Sequence, residues 1–204
     1  MRNVIRRFDR RRLVAGLLTL PLVAAAPAPV RVTMRTALGP IVIELYPAKA
    51  PISVANFLAH ADRHLLDGGS FYRTVGPWND NNPATISVIQ GGLNRDEGPL
   101  PAIAHETTRV TGLRHADGVI SMARDAPGTA GAEFFICIGD NPALDFGGAR
   151  NPDGQGFAAF GRVVEGMDVV RKIHKAPAVS SASDPYLKGQ MIEKPVMIQK
   201  LSRN

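Results

Sequence analysis

Residues 131–146, GAEFFICIGDNPALDF, set an acid, Glu133, directly against the apolar run Phe134, Phe135, Ile136, Cys137 and Ile138. A carboxylate is costly to bury without partners, so Glu133 either ends a strand in water or borders a site. Other groups that could do chemistry are scattered. His105 and Glu106 are adjacent, but an HE pair without a second His at helical spacing is no zinc motif. The DNN at 80–82 and the NPDG at 151–154 lack the ligand spacing of a calcium loop and read as plain turns. Ser121 has no nucleophile-elbow glycines around it, which argues against a serine hydrolase. The single cysteine, Cys137, cannot form an internal disulfide, and its apolar neighbours predict a buried, unreactive thiol. By residue type alone, Arg73 in FYRTV is a surface arginine on an edge strand, and Gln90 in VIQGG is a polar strand end before two glycines.

The elements that must position these groups are short. Residues 30–36 and 41–45 read as two strands around a tight turn at Leu38, Gly39 and Pro40. Val54, Phe57 and Leu58 follow Pro51 at helical spacing, predicting a helix over 51–60 that ends near Leu66. Strands are expected at 71–75 and 85–90, separated by GPWNDNNPA, which is dense in turn formers. Residues 91–118 lack periodicity and form a long excursion of the kind that carries function. Apolar runs at 118–122, 134–138 and 157–164 precede a helix over 165–175 and a last strand at 195–201. Many short strands with two helices indicate an all-β barrel or sandwich with helical plugs.

The series GPIVIELYPAKAPISVANF, FYRTV, VIQGG, GVISMAR, EFFICIGDNPALD, FAAFGRVVEGMDVV and KPVMI resembles, in order and spacing, the cyclophilin family of peptidyl-prolyl cis-trans isomerases, and is most like bacterial exported members. The resemblance runs from about Val32 to Leu201. It implies a closed antiparallel eight-stranded barrel capped by two α-helices, the isomerase domain occupying residues 30–204. It also implies rotation of X-Pro bonds in unfolded or flexible polypeptides, with no cofactor, no metal and no covalent intermediate. A low-activity chaperone or proline-segment scaffold on the same barrel is the alternative.

That chemistry needs no nucleophile. The barrier to rotation about a peptide bond is about 18–20 kcal/mol because the nitrogen lone pair is delocalised into the carbonyl. Uncatalysed prolyl isomerisation takes about 10–100 s, so a millisecond timescale requires removing roughly 6 kcal/mol. A donor that meets the twisted, lone-pair-bearing state better than the planar one supplies much of this. The resemblance gives that role to Arg73, whose guanidinium is always charged and rigidly forked. It gives substrate-backbone bonding to Gln90 and the groove lining to Val88, Ala123, Glu133, Phe135, Leu144 and Phe157, with Phe135 on the floor of the proline pocket.

The departures from the family pattern concern binding. Ser87 and Val88 stand where an aromatic and a methionine are usual, and the insertion at 78–85 replaces a short turn, so that Trp78 or Ile86 is expected to refill the pocket wall. Glu133 replaces a glutamine and is expected to pair with Arg73 or Arg124 in the empty site. Ala143 stands in place of a Trp or Phe, which implies weak cyclosporin binding, and Phe157 replaces a His or Tyr. Tyr72 replaces the His of the common FHR and is expected to be secondary.

The net charge of +6 points toward nucleic acid only until its distribution is examined. Six of the 24 Lys and Arg lie in the first twelve residues, against one acid, which leaves the rest of the chain 18 basic and 17 acidic residues. The basic start runs into an apolar stretch from Leu13 to Val23 and then Ala24, Ala25 and Ala26, the order of a cleavable signal peptide over 1–26. DRRRLV also resembles a twin-arginine signal. A periplasmic, monomeric protein is expected, with proline-containing polypeptides as partners and neither nucleic acid nor membrane association after cleavage.

Overall fold

A computed structural model describes residues 25–93, 99–179 and 184–204. The signal-peptide expectation falls almost wholly outside them. Among the described residues, nine strands form one antiparallel sheet: β1 (Val30–Thr36), β2 (Gly39–Leu45), β3 (Ser70–Val75), β4 (Val88–Gly92), β5 (Val119–Met122), β6 (Phe134–Cys137), β7 (Ala158–Glu165), β8 (Ala178–Val179) and β9 (Met191–Arg203). Their order is β1-β2-β7-β5-β6-β4-β3-β9-β8, and β1 also pairs with β9. Eight strands therefore close into a barrel, while two-residue β8 lies outside β9. Closure leaves no long unpaired edge.

The barrel interior is filled by residues that alternate with the outward ones. Phe134 and Ile136 of β6 and Ile120 and Met122 of β5 join Phe71, Ile89 and Phe160 inside, whereas Phe135 and Cys137 face a second, smaller apolar cluster. Helix α1 (Pro51–Asp62) adds Val54, Phe57, Leu58 and Ala61 to this core, and Phe57 meets Phe134 edge-on at 5.6 Å. Helix α3 (Met167–His174) adds Val169, Val170 and Ile173. Pro51 occupies the first turn of α1, as its fixed φ favours. Ala50 offers no capping side chain, so the Glu106 carboxylate reaches in and accepts from the Ile52 and Ser53 backbone N–H at 3.0 and 2.7 Å. The His105–Glu106 pair thus contains a helix cap.

Several boundaries differ from the sequence reading for identifiable reasons. β4 begins at Val88 rather than residue 85 because the N–H groups of Ile86 and Ser87 are taken by side chains, Asp80 Oδ2 at 2.8 Å and Asn141 Oδ1 at 2.6 Å. α3 starts after Gly166, held at φ 89°, where a Cβ would meet the Pro40 carbonyl oxygen at 2.4 Å. The described part of the excursion after β4 holds the single-turn helix α2 (Thr108–Thr111) and a bridge from Ile103 to Ala130. Short 3₁₀ turns, Pro142–Leu144 and Pro185–Leu187, had no periodic signal. No helix among the described residues is long and apolar enough to cross a membrane.

Candidate functional site

Across the outer face of the barrel the ladder aligns Met191, Arg73, Gln90, Phe135 and Ser121 on five successive strands. β3 carries an irregularity between Phe71 and Arg73. Regular alternation would send Tyr72 and Arg73 to opposite faces, but the bulge lets both reach the same Gln90 amide. Arg73 Nη1 donates to Gln90 Oε1 at 2.9 Å, and Gln90 Nε2 donates to the Tyr72 hydroxyl at 2.8 Å. The Tyr72 hydroxyl in turn donates to Glu133 Oε2 at 2.6 Å, and Glu133 Oε1 accepts from the Leu93 N–H at 2.7 Å. Burial, with Glu133 beside it, raises the Tyr72 pKa far above its ordinary value, so the phenol stays protonated.

The arginine is held from a second side. Gln190 Oε1 accepts from Arg73 Nε at 2.9 Å and from Nη2 at 2.6 Å, and the Tyr186 ring lies 5.2 Å from the guanidinium carbon. A guanidinium has five N–H groups, so these three bonds leave one on each terminal nitrogen. Beside it is a groove of about 950 Å³. The candidates Arg73, Val88, Gln90, Ala123, Glu133, Phe135, Leu144 and Phe157 all line it.

Its apolar floor is backed by ring contacts and hydrogen bonds. Phe135 meets Phe157 edge-on at 5.3 Å and stacks on His115 at 5.8 Å. His115 Nδ1 lies 2.8 Å from Asp145 Oδ1, and its Nε2 lies 3.0 Å from Ser121 Oγ. The order Ser, His, Asp matches a hydrolase relay. Yet Ser121 is 0% exposed and His115 2%, so no substrate reaches the hydroxyl, and the three residues serve as backing for Phe135. Val88, Ile86, Val75, Leu144 and Cys137 complete the cluster, and burial pushes the Cys137 thiol pKa well up.

Two expectations, for Glu133 and Tyr72, are corrected, and the choice left open for the pocket wall is resolved. Glu133 accepts from Tyr72 and Leu93, and neither Arg73 nor Arg124 donates to it in the site's network; Arg124 instead grips Asp153 at 2.8 and 2.9 Å and the Gly156 carbonyl. Ile86 refills the pocket wall, but Trp78 turns away to pack on Gly76 and His174. Tyr72 is part of the central network rather than secondary. Sequence reasoning missed Gln190, Tyr186, His115 and Arg150, none of which sits in a periodic apolar pattern. Among the described residues, no group of three or more His, Cys, Asp or Glu could hold a metal ion.

A barrel with an arginine poised over an apolar pocket on its outer wall is matched by sequence. The family described as cyclophilin type peptidyl-prolyl cis-trans isomerase/CLD covers residues 31–202. The chain belongs to the cyclophilin family. It is 38% identical over 170 residues to a peptidyl-prolyl cis-trans isomerase of Acinetobacter baylyi, covering 81% of each chain. Against peptidyl-prolyl cis-trans isomerase B of Escherichia coli, identity is 35% over 150 residues, covering 70% of this chain and 82% of the relative. The crystal structure of a Cryptosporidium parvum cyclophilin superposes with a TM-score of 0.66 at 20% identity, covering 87% of this chain and 98% of that one. That likeness bears on the fold alone. The strand order is that of a cyclophilin barrel, and the arginine, glutamine and phenylalanine aligned on β3, β4 and β6 form its candidate site.

Proposed function

We propose that the groove binds an extended X-Pro segment, the proline ring on Phe135 between Val88, Leu144 and Phe157, and that Arg73 drives rotation about the prolyl bond. As a cyclophilin, the chain is a peptidyl-prolyl cis-trans isomerase. The observation that carries the residue assignment is the pair of uncommitted guanidinium N–H groups beside an apolar floor. When the amide twists, its nitrogen regains a lone pair. A fixed cation donating to that nitrogen stabilises the twisted state more than the planar one, which is the differential binding that catalysis requires. Gln90, its oxygen committed to Arg73 and one N–H to Tyr72, has one N–H left to hold the substrate backbone.

The experiment is turnover of an Ala-Pro peptide in a protease-coupled or refolding assay by native protein and Arg73→Ala. At least a tenfold loss with the barrel still folded is expected; equal rates would overturn the assignment.

The protein acts on exported polypeptides in this reading, as a relative of bacterial exported cyclophilins that works as a monomer in the periplasm. The arginine-rich start followed by an apolar stretch ending in alanines supports export by the secretory or twin-arginine route. The bacterial relatives support the kinship. Mass spectrometry of the mature protein is expected to find cleavage between Ala25 and Ala28, and recovery of residues 1–25 would contradict it.

A further inference from the structure

Gln190 is 0% exposed, and its polar groups are bonded on every side. Its N–H donates to the Leu187 carbonyl at 3.0 Å and its carbonyl accepts from the Thr74 N–H at 2.9 Å. Its amide nitrogen donates to the Asn79 carbonyl at 2.9 Å, which fixes the amide oxygen toward Arg73. That oxygen takes both Nε and Nη2 of the guanidinium. Asn79, within the insertion at 78–85, is itself tied by its side chain to Gly76 N–H and to the Thr74 and Gly189 carbonyls. Tyr186, whose ring lies by the guanidinium, receives a hydrogen bond from Arg150 Nη2 at 2.7 Å, and Arg150 is locked on Asp80 of the same insertion.

We propose that Gln190 is a positioning residue for Arg73, and that the 78–85 insertion and the 184–190 turn together form the brace that aims the guanidinium into the groove. The proposal rests on the isomerase reading of Arg73. A neutral amide suits the task. It immobilises one edge of the fork without cancelling its charge, whereas a carboxylate there would neutralise the cation that the twisted amide needs. Gln190 touches no substrate; it acts by removing the rotamers in which Arg73 points elsewhere, so its effect falls on the rotation step rather than on binding.

The test uses the full chain as wild type, Gln190→Met, Arg73→Ala and the double variant, with circular dichroism confirming the folded state at assay temperature. Methionine keeps the side chain's length and lacks the acceptor. Gln190→Met is expected to lower kcat about tenfold for an Ala-Pro peptide with KM within about twofold. In the Arg73→Ala background the same change is expected to cost nothing further, since there is no guanidinium left to aim. The Arg73 Nε–H resonance is expected to be resolved and slowly exchanging in wild type and to average away in Gln190→Met. Unchanged kcat, an equal loss in both backgrounds, or a wild-type Nε–H that is already averaged would each overturn the proposal. Full turnover by Arg73→Ala would instead remove the catalytic role of Arg73 on which the proposal stands.

Discussion

The hydroxyl of Tyr72 links Gln90 to Glu133: it accepts from Gln90 Nε2 at 2.8 Å and donates to Glu133 Oε2 at 2.6 Å. A carboxylate only accepts, so the phenol must point its proton at Glu133 and its lone pair at the amide nitrogen. That sets which end of the Gln90 amide faces Arg73. The acid that looks misplaced before an apolar run is thus what orients the amide beside Arg73.

Tyr72→Phe removes both bonds and frees the Gln90 amide to turn. A loss of about threefold to tenfold in kcat/KM is expected, with about 1–2 kcal/mol lost in stability for the buried bonds. Peptide isomerisation kinetics together with urea unfolding measure both; full activity would show that the amide needs no orientation.

Glu133→Gln is expected to leave turnover within about twofold, since an amide oxygen still accepts from Tyr72 while its nitrogen faces the Leu93 N–H at a cost of about 1 kcal/mol. A loss beyond tenfold would mean that the negative charge itself takes part in the rotation step.

Asp80 and Arg150 form an ion pair at 2.7 Å whose side chains are 0% and 2% exposed. Asp80 also accepts from the N–H groups of Asn82 and Ile86. Removing one partner of a buried pair leaves the other charge stranded, so Asp80→Ala should cost about 3–5 kcal/mol. Chemical denaturation checks this, and a change within about 1 kcal/mol would show that water reaches the pair.

The barrel was legible because its strands follow an apolar pattern that solvent exclusion enforces. β1 falls where alternation places it, and the apolar run after Glu133 becomes β6 with Phe135 on the groove side. The brace was not legible. Gln190 meets Arg73 across 117 positions, and Arg150 meets Asp80 across 70, so neither pair shares an element whose periodicity could reveal it. Bulges are equally silent: nothing in FYRTV announces that two consecutive residues will face one side. What residue type did disclose was unusual chemistry in place, the acid beside Phe134 and the Asn-rich insertion, without the partner that explains it.

Ala143, half-buried at the rim of the Phe135–Phe157 cluster, leaves open a wall that family resemblance assigns to an aromatic. Ala143→Trp should tighten cyclosporin at least tenfold, which corresponds to about 1.4 kcal/mol and lies within the gain from burying an aromatic contact. Calorimetric titration of both proteins tests it, and tight binding by the native chain would show that Ile86 and Phe157 already supply that surface.

Two buried histidines make stability depend on pH. Burial lowers the pKa of His60 in α1, whose Nε2 has no hydrogen-bond partner among the described residues, and of His174 in α3, whose Nε2 is bonded to the Val75 carbonyl at 2.9 Å. In the unfolded chain both titrate near the ordinary value of about 6.5. Above that pH both states hold neutral rings and the histidines contribute nothing to the slope. As pH falls through about 6.5 the unfolded chain takes up protons that the folded one refuses, so stability declines until the lowered folded pKa values are passed. The urea midpoint should therefore drop between pH 7.5 and 5, and His60→Gln should flatten part of that decline. A midpoint constant over this range would show that the folded protein accepts the protons with its core intact.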